Sequence, residues 1–452
     1  MFERWFNRTL NRTWGFIEDR TGMGKWALRP QPAFTFKPSY WTGAFVVNAF
    51  LFQVVSGLLL LLYYQPSTNP TLTACGQASG TLSQSPAAWC STFYIIHSVP
   101  MGSLLLSTHL YGAYAMIFLA FVHFYRGYYL GVYKAPREFS WMVGTLLMLA
   151  TLGMGFTGYL LPYTQLSYNA TNVGIVLTLG APGGNILGPF LLADGTPQGL
   201  LSRFFAAHVL LIPLALGALL YAHIALFESH GIAPPATSDP QQRRRYTHAE
   251  DKKHVPFMPH ILMYITKWAL LYVGLLIGIA ALWPWQLPTY VGNLAATSVV
   301  TEPDWYFLWL FKIVDFTGIS PVIAITITTV IILYVLLLPF LDRSKRTHPR
   351  DRPIVIFIAN SLMAFLILTT VWGGETPGVQ IPVDQVIERI APIFVVNAVV
   401  VLLFYWRYRI NYQRRLLAAS GAQRLSGGYP TTSLPAAPVA SAPVRSEAMG
   451  HE

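Results

Sequence analysis

Eight apolar stretches divide the chain, at about residues 41–63, 106–129, 141–161, 204–227, 262–284, 320–341, 353–373 and 390–406. About 20 helical residues cross the roughly 30 Å hydrocarbon core of a bilayer, so each stretch is long enough to span it. In hydrocarbon every backbone N–H and C=O needs an internal partner, which makes an apolar segment of this length an α-helix. The pattern predicts an all-α integral membrane protein with eight transmembrane helices. Composition agrees, with 54% hydrophobic and 11% charged residues, where soluble domains carry about 25% charged. The first stretch begins too late, runs too long and lacks the small-residue cleavage site of a removable signal peptide.

The formal charge of +11 raises the question of nucleic acid, whose binders gather basic residues on one face or tail. Here the basic residues alternate between connections, which argues for a lipid membrane and against nucleic acid. Residues 1–40 hold Arg4, Arg8, Arg12, Arg20, Lys25, Arg29 and Lys37, and 64–105 hold none. Arg126, Lys134 and Arg137 follow, then 162–202 without a basic residue before Arg203, then Arg243, Arg244, Arg245, Lys252 and Lys253. Only Lys312 falls in 285–319; Arg343, Lys345, Arg346, Arg350 and Arg352 come next, and 374–388 hold none. By the positive-inside rule both termini are cytoplasmic, across a bacterial or archaeal inner membrane.

Cys75 and Cys90 are the only cysteines, too few for a thiolate metal or iron–sulfur site. Both lie in the first outward connection, where the sequence admits either a disulfide or two free thiols. Long outward connections at 64–105, 162–202 and 285–319 are of the kind that carry function. From about residue 416 the chain turns to Ala, Pro, Ser and Gly without periodicity, which predicts a disordered cytoplasmic tail.

The second span contains His109 and His123, fourteen residues apart, and the fourth contains His208 and His223, fifteen apart. Fourteen residues fall about 40° short of four full turns, so His109 and His123 share one helix face about 21 Å apart. Fifteen overshoot by about 60°, and Pro213 between the second pair offers a kink to absorb the extra residue. With one span between them the two helices run parallel. His109 is then level with His208 near the outer face, and His123 with His223 near the inner face. Facing imidazoles at two depths suit two six-coordinate haems, which carry electrons and leave no position for oxygen. Gly43 and Gly57 in the first span, and Gly144 and Gly158 in the third, repeat the fourteen-residue step. Glycine leaves space where a flat macrocycle presses on backbone, so these four are expected against haem edges. Arg126 and Arg203 stand near the membrane surfaces as candidate partners for haem propionates.

Four stretches carry a family resemblance: Arg203-Phe204-Phe205-Ala206-Ala207-His208, Gly158-Tyr159-Leu160-Leu161-Pro162, His123-Phe124-Tyr125-Arg126-Gly127 and Pro303-Asp304-Trp305-Tyr306. Over about residues 25–412 the chain resembles cytochrome b, the membrane core of Rieske/cytochrome b quinol oxidoreductases. The resemblance implies two non-covalent b-type haems, on His109 with His208 and on His123 with His223. It implies a quinol:cytochrome c oxidoreductase that oxidises quinol at an outer site. One electron passes to a Rieske iron–sulfur protein and a c-type cytochrome, and the other crosses the haems to reduce quinone at an inner site, in a complex that is a homodimer. Asp304, Tyr306 and Tyr159 are the expected catalytic residues of the outer site, with Pro162, Pro303 and Trp305 around them. A carboxylate in an apolar pocket suits the role, because quinol oxidation releases protons.

The sequence departs from the family's pattern in places. Asp304 replaces the commoner glutamate, Tyr163-Thr164-Gln165 follows Pro162, and Leu106 stands where many members have an arginine. Glu228 takes the place of an inner-site histidine, with His230 two residues on. Trp41 occupies the position of a cysteine that holds a third haem in the chloroplast type, so two haems are expected. The organisation predicted is a cytoplasmic segment (1–40), a di-haem four-helix domain (41–228), a cytoplasmic linker (229–261), a second four-helix domain (262–410) and a disordered tail (411–452). Two other functions compete: a di-haem anchor serving a different soluble partner, against which the outer-site motif argues, and a histidine proton-relay transporter, which would need internal repeats.

Overall fold

The computed structural model describes residues 12–13, 15–16, 18–22, 30–32, 35–70, 75, 85–180, 183–192, 195–236, 254–288 and 302–425. Among them stand α1 (Thr42–Leu61), α2 (Ala87–His97), α3 (Gly102–Tyr129), α4 (Glu138–Leu160), α5 (Gln165–Gly180), α6 (Gly184–Leu191), α7 (Pro197–His230), α8 (Leu262–Leu282), α9 (Trp305–Val314), α10 (Pro321–Leu341), α11 (Pro353–Glu375) and α12 (Val383–Leu425). Eight of these, α1, α3, α4, α7, α8, α10, α11 and α12, are long and apolar enough to cross a membrane, and each coincides with one of the eight apolar stretches.

Local chemistry sets the helix starts. Proline at the first position of α7, α10 and α11 has no N–H to leave unpaired. Thr196 and Ser320 cap α7 and α10 by accepting from the Gly199 and Ile323 amides. Inside α7 the residues Ala207–Leu211 form a π-helical turn, just ahead of Pro213. A wider turn takes up one extra residue. The fifteen-residue histidine spacing is thus absorbed at His208 itself, by a π turn preceding the proline, where the sequence had suggested a kink.

α1 packs along α3 and α4 along α7, while α9 packs on α11 and α11 on α12. One end of the molecule is tied by a buried polar cluster. Lys134 Nζ stands 2.7 Å from Asp342 Oδ2, Tyr133 Oη donates to the same oxygen at 2.5 Å, and Arg352 Nη1 donates to Tyr133 Oη at 2.7 Å. Lys134 and Arg352 are therefore structural ion-pair partners as well as topological charges. Beside them Tyr128, Tyr133, Trp141, Leu338 and Ala359 form an apolar cluster between α3, α4, α10 and α11. Pro30–Pro32 pairs with His254–Pro256 in a two-stranded antiparallel sheet.

Cys75 and Cys90 form a disulfide with Cα atoms 5.3 Å apart. The expected tail is corrected at its start. α12 continues to Leu425, because its polar stretch beyond Trp406 contains no Pro and mostly residues that favour a helix. Residues 426–452 lie outside the described residues, as do Arg4, Arg8, Lys25, Arg29, Arg243, Arg244, Arg245, Lys252 and Lys253.

Candidate haem and quinol sites

The four histidines meet in two pairs. The rings of His109 and His208 have centroids 6.5 Å apart and those of His123 and His223 6.4 Å, turned 79° and 81° from one another. Each separation suits a metal between the rings. Half of it, about 3.2 Å, is the sum of a metal–imidazole bond of about 2.0–2.1 Å and the roughly 1.1 Å from ring centre to nitrogen. No three His, Cys, Asp or Glu side chains cluster among the described residues. Each pair could offer two imidazoles to a metal whose remaining ligands came from a macrocycle.

Hydroxyl groups set the tautomers. Ser56 Oγ donates to the Phe52 carbonyl at 2.8 Å and lies 2.8 Å from His109 Nδ1. Thr157 Oγ1 donates to Gly153 O at 2.8 Å and lies 3.2 Å from His208 Nδ1, which also faces the Met154 carbonyl at 3.1 Å. A hydroxyl whose hydrogen is taken by its own helix can only accept, so these Nδ1 atoms carry the proton. Nε2 is left free to bind a metal. Thr42 Oγ1 lies 3.0 Å from His123 Nδ1 and donates to the Ser39 carbonyl, ahead of α1, at 3.5 Å. Sequence reading missed all three, although each immediately precedes one of the glycines; Val143 precedes the fourth, Gly144.

The glycines make room for the histidines themselves. A Cβ at Gly43 would stand 3.0 Å from His123 Cε1, at Gly57 3.1 Å from His109 Cε1, at Gly144 3.1 Å from His223 Cε1 and at Gly158 2.7 Å from His208 Cε1. Each glycine of the fourteen-residue step thus faces one of the four histidine rings. Arg126 lies over the Tyr40 ring at 4.6 Å, and its Nε is buried without a hydrogen-bond partner, which fits an anionic acceptor such as a propionate. Arg203 donates from Nη1 to the Pro189 carbonyl at 3.2 Å.

Asp304, Tyr306 and Tyr159 come together at the start of α9. Asp304 occupies the N-cap of that helix but makes no side-chain cap bond. Its carboxylate instead accepts from Tyr306 Oη at 2.9 Å and from Tyr114 Oη on α3 at 2.6 Å. Burial pushes the Asp304 carboxyl up, while the two phenol bonds favour its ionised form. The Tyr159 hydroxyl is buried without a hydrogen-bond partner. Gly155 on α4 is what admits the Tyr306 ring, since a Cβ there would approach it to 2.8 Å. Pro162 follows the Leu161 carbonyl, which accepts from Tyr64 Oη at 2.6 Å. Trp305 stacks edge-on to Tyr306 at 5.6 Å. Pro303 lines a neighbouring cavity of about 240 Å³, with Phe311, Lys312 and Asp315. Tyr114 lay outside the sequence expectation, because only the fold brings α3 to the α9 loop.

The chain matches known proteins along most of its length. Residues 114–289 match the family described as cytochrome b(N-terminal)/b6/petB, and residues 291–396 match cytochrome b(C-terminal)/b6/petD. A cytochrome b of Sulfolobus acidocaldarius is 33% identical over 416 residues, covering 86% of this chain and 70% of that protein. The chain belongs to the cytochrome b family. A cytochrome bc complex cytochrome b subunit of Chlorobaculum thiosulfatiphilum is 31% identical over 336 residues, 73% of this chain and 72% of that protein. A chain of a hyperthermophilic respiratory Complex III superposes with a TM-score of 0.64 at 25% identity, covering 86% of this chain and 96% of that one. The chain is thus the cytochrome b subunit of a bc-type redox complex, a multi-pass protein of a prokaryotic membrane.

Proposed function

We propose that the chain is the membrane subunit of a quinol:cytochrome c oxidoreductase, holding two b-type haems between His109 and His208 and between His123 and His223. The observation that carries this reading is the pair of imidazole couples, each spaced for one metal. When bound, the haems supply six-coordinate one-electron carriers between the two membrane faces. Ser56, Thr157 and Thr42 fix the imidazole protons on Nδ1, the four glycines let the Cε1 edges of the rings approach α1 and α4, and Arg126 offers a cation to a propionate. At the outer face, Asp304 accepts a proton from quinol, Tyr306 and Tyr159 orient it, and Pro162, Pro303 and Trp305 shape the pocket.

In this reading one electron leaves quinol for a Rieske iron–sulfur protein and then a c-type cytochrome. The other crosses the membrane to reduce quinone at an inner site, which couples turnover to proton translocation. Both termini are cytoplasmic, as the alternation of basic connections supports, and the complex is a homodimer. The test is purification in mild detergent followed by assay of quinol-dependent cytochrome c reduction. The expected result is activity that requires the Rieske protein and falls sharply in Asp304→Asn. Full cytochrome c reduction after removal of the Rieske protein would contradict the proposal.

A further inference from the structure

The bond from Tyr114 Oη to Asp304 Oδ1, at 2.6 Å, is shorter than the 2.9 Å bond from Tyr306 Oη to Oδ2. We infer that Tyr114 is a positioning residue for quinol oxidation, pinning one oxygen of Asp304 to α3 so that Oδ2, shared with Tyr306, is the oxygen that meets quinol. The inference rests on the reading of Asp304 as proton acceptor and deepens it.

The geometry follows from the shortness of aspartate. At the start of α9 its carboxylate can either cap its own helix or turn away, and it makes no cap bond. Tyr114 holds it in the turned position. That tyrosine is itself framed by aromatic neighbours, with the Tyr306 ring at 6.1 Å and the Tyr111 ring at 6.3 Å. Tyr111 in turn donates to the Trp283 carbonyl at 2.7 Å. The ionisable groups facing the carboxylate are Tyr306 on α9, Tyr114 on α3 and Tyr159 on α4. Lys312 and Asp315, further along α9, are 3.4 Å from each other.

Chemically, the quinol O–H bond breaks, its proton goes to Oδ2, and one electron goes to the iron–sulfur acceptor. The phenol of Tyr114 keeps its own proton throughout. By donating to the carboxylate it favours the ionised form, which is the form that accepts the proton.

The experiment is Tyr114→Phe in the intact complex, with quinol-oxidation rate measured against pH and the Asp304 carboxyl titrated by infrared difference spectroscopy. The band is assigned by its loss in Asp304→Asn. Loss of the phenol bond moves the acidic limb and the infrared midpoint to higher pH, lowering the rate about tenfold on that limb and little above it. Tyr111→Phe, which removes a nearby phenol without touching the carboxylate, leaves both in place. 3-Fluorotyrosine at position 114 keeps the shape and donates more strongly, so it moves both to lower pH; this variant decides the matter if Tyr114→Phe does not assemble. An unmoved limb and band, a rate loss equal at all pH values, or an equal shift from Tyr111→Phe overturns the inference. Parental quinol oxidation by Asp304→Asn refutes the acceptor reading beneath it. An impaired Asp304→Asn with a silent Tyr114→Phe refutes the role of Tyr114 alone.

Discussion

Replacing Gly158 by alanine places a methyl carbon 2.7 Å from His208 Cε1. Non-bonded carbons settle about 3.5–4.0 Å apart, so the imidazole must retreat by about 1 Å. It has little freedom to do so, because its Nδ1 is held by Thr157 Oγ1 at 3.2 Å and by the Met154 carbonyl at 3.1 Å. Metal–ligand distances tolerate only about 0.2 Å, so the axial bond is lost before the helix yields. Overpacking adds a cost of about 1–3 kcal/mol. Gly217→Ala, on α7 with His208, is the control, because its Cβ meets nothing within 4 Å and alanine favours a helix by about 1 kcal/mol. The assay is pyridine haemochrome per chain with redox titration. Gly158→Ala is expected to keep about one haem, the His123–His223 one, while Gly217→Ala keeps both. Two haems with unshifted midpoints in Gly158→Ala would refute the reasoning.

Three further predictions test other parts of the structure. Ser56→Ala removes the acceptor 2.8 Å from His109 Nδ1, making that imidazole a poorer electron donor, so redox titration is expected to show the midpoint of its haem shifted upward. Asp342→Asn removes the carboxylate that buried Lys134 and Arg352 share and costs about 3–5 kcal/mol, read as faster thermal inactivation. Burial pushes the Asp342 carboxyl up, but the bonds from Lys134 and Tyr133 and the nearby cations outweigh it and hold the carboxyl below its ordinary value. Its stabilisation is therefore present above the unfolded carboxyl's value and lost as pH falls through the lowered one, a loss that inactivation rates show in the parent and not in the variant. Lys312→Met removes the donor that lies 2.6 Å from the Thr376 carbonyl and ties α9 to the end of α11, which lowers the melting temperature by an amount corresponding to about 1–3 kcal/mol.

What the sequence made legible was whatever repeats along a helix. Apolar length marked all eight spans, and a step of four turns put His109 beside His208 and His123 beside His223 once the helices were known to be parallel. The hydroxyl-Gly pairs Thr42-Gly43 and Ser56-Gly57 carry the same step, and Thr157-Gly158 repeats the dipeptide in the third span, where Val143 breaks the pattern. Contacts between elements far apart in the chain were not. Tyr114 lies 190 residues from Asp304, and nothing in its own stretch separates it from an ordinary membrane tyrosine. Arg203 donates to the Pro189 carbonyl, a contact that periodicity does not set. Lys134 and Arg352 read as topology signals because a charge count says nothing about burial, whereas the fold closes them around Asp342.

The central claim is that four histidines hold two haems. A dithionite-reduced minus oxidised spectrum of the intact complex, with haem quantification and a redox titration, tests it most directly. The account predicts two b-type haems per cytochrome b chain, titrating as separate low-spin waves, with each of the four histidine substitutions removing one wave. A single haem, none, or two that survive loss of His109 or His223 would contradict it.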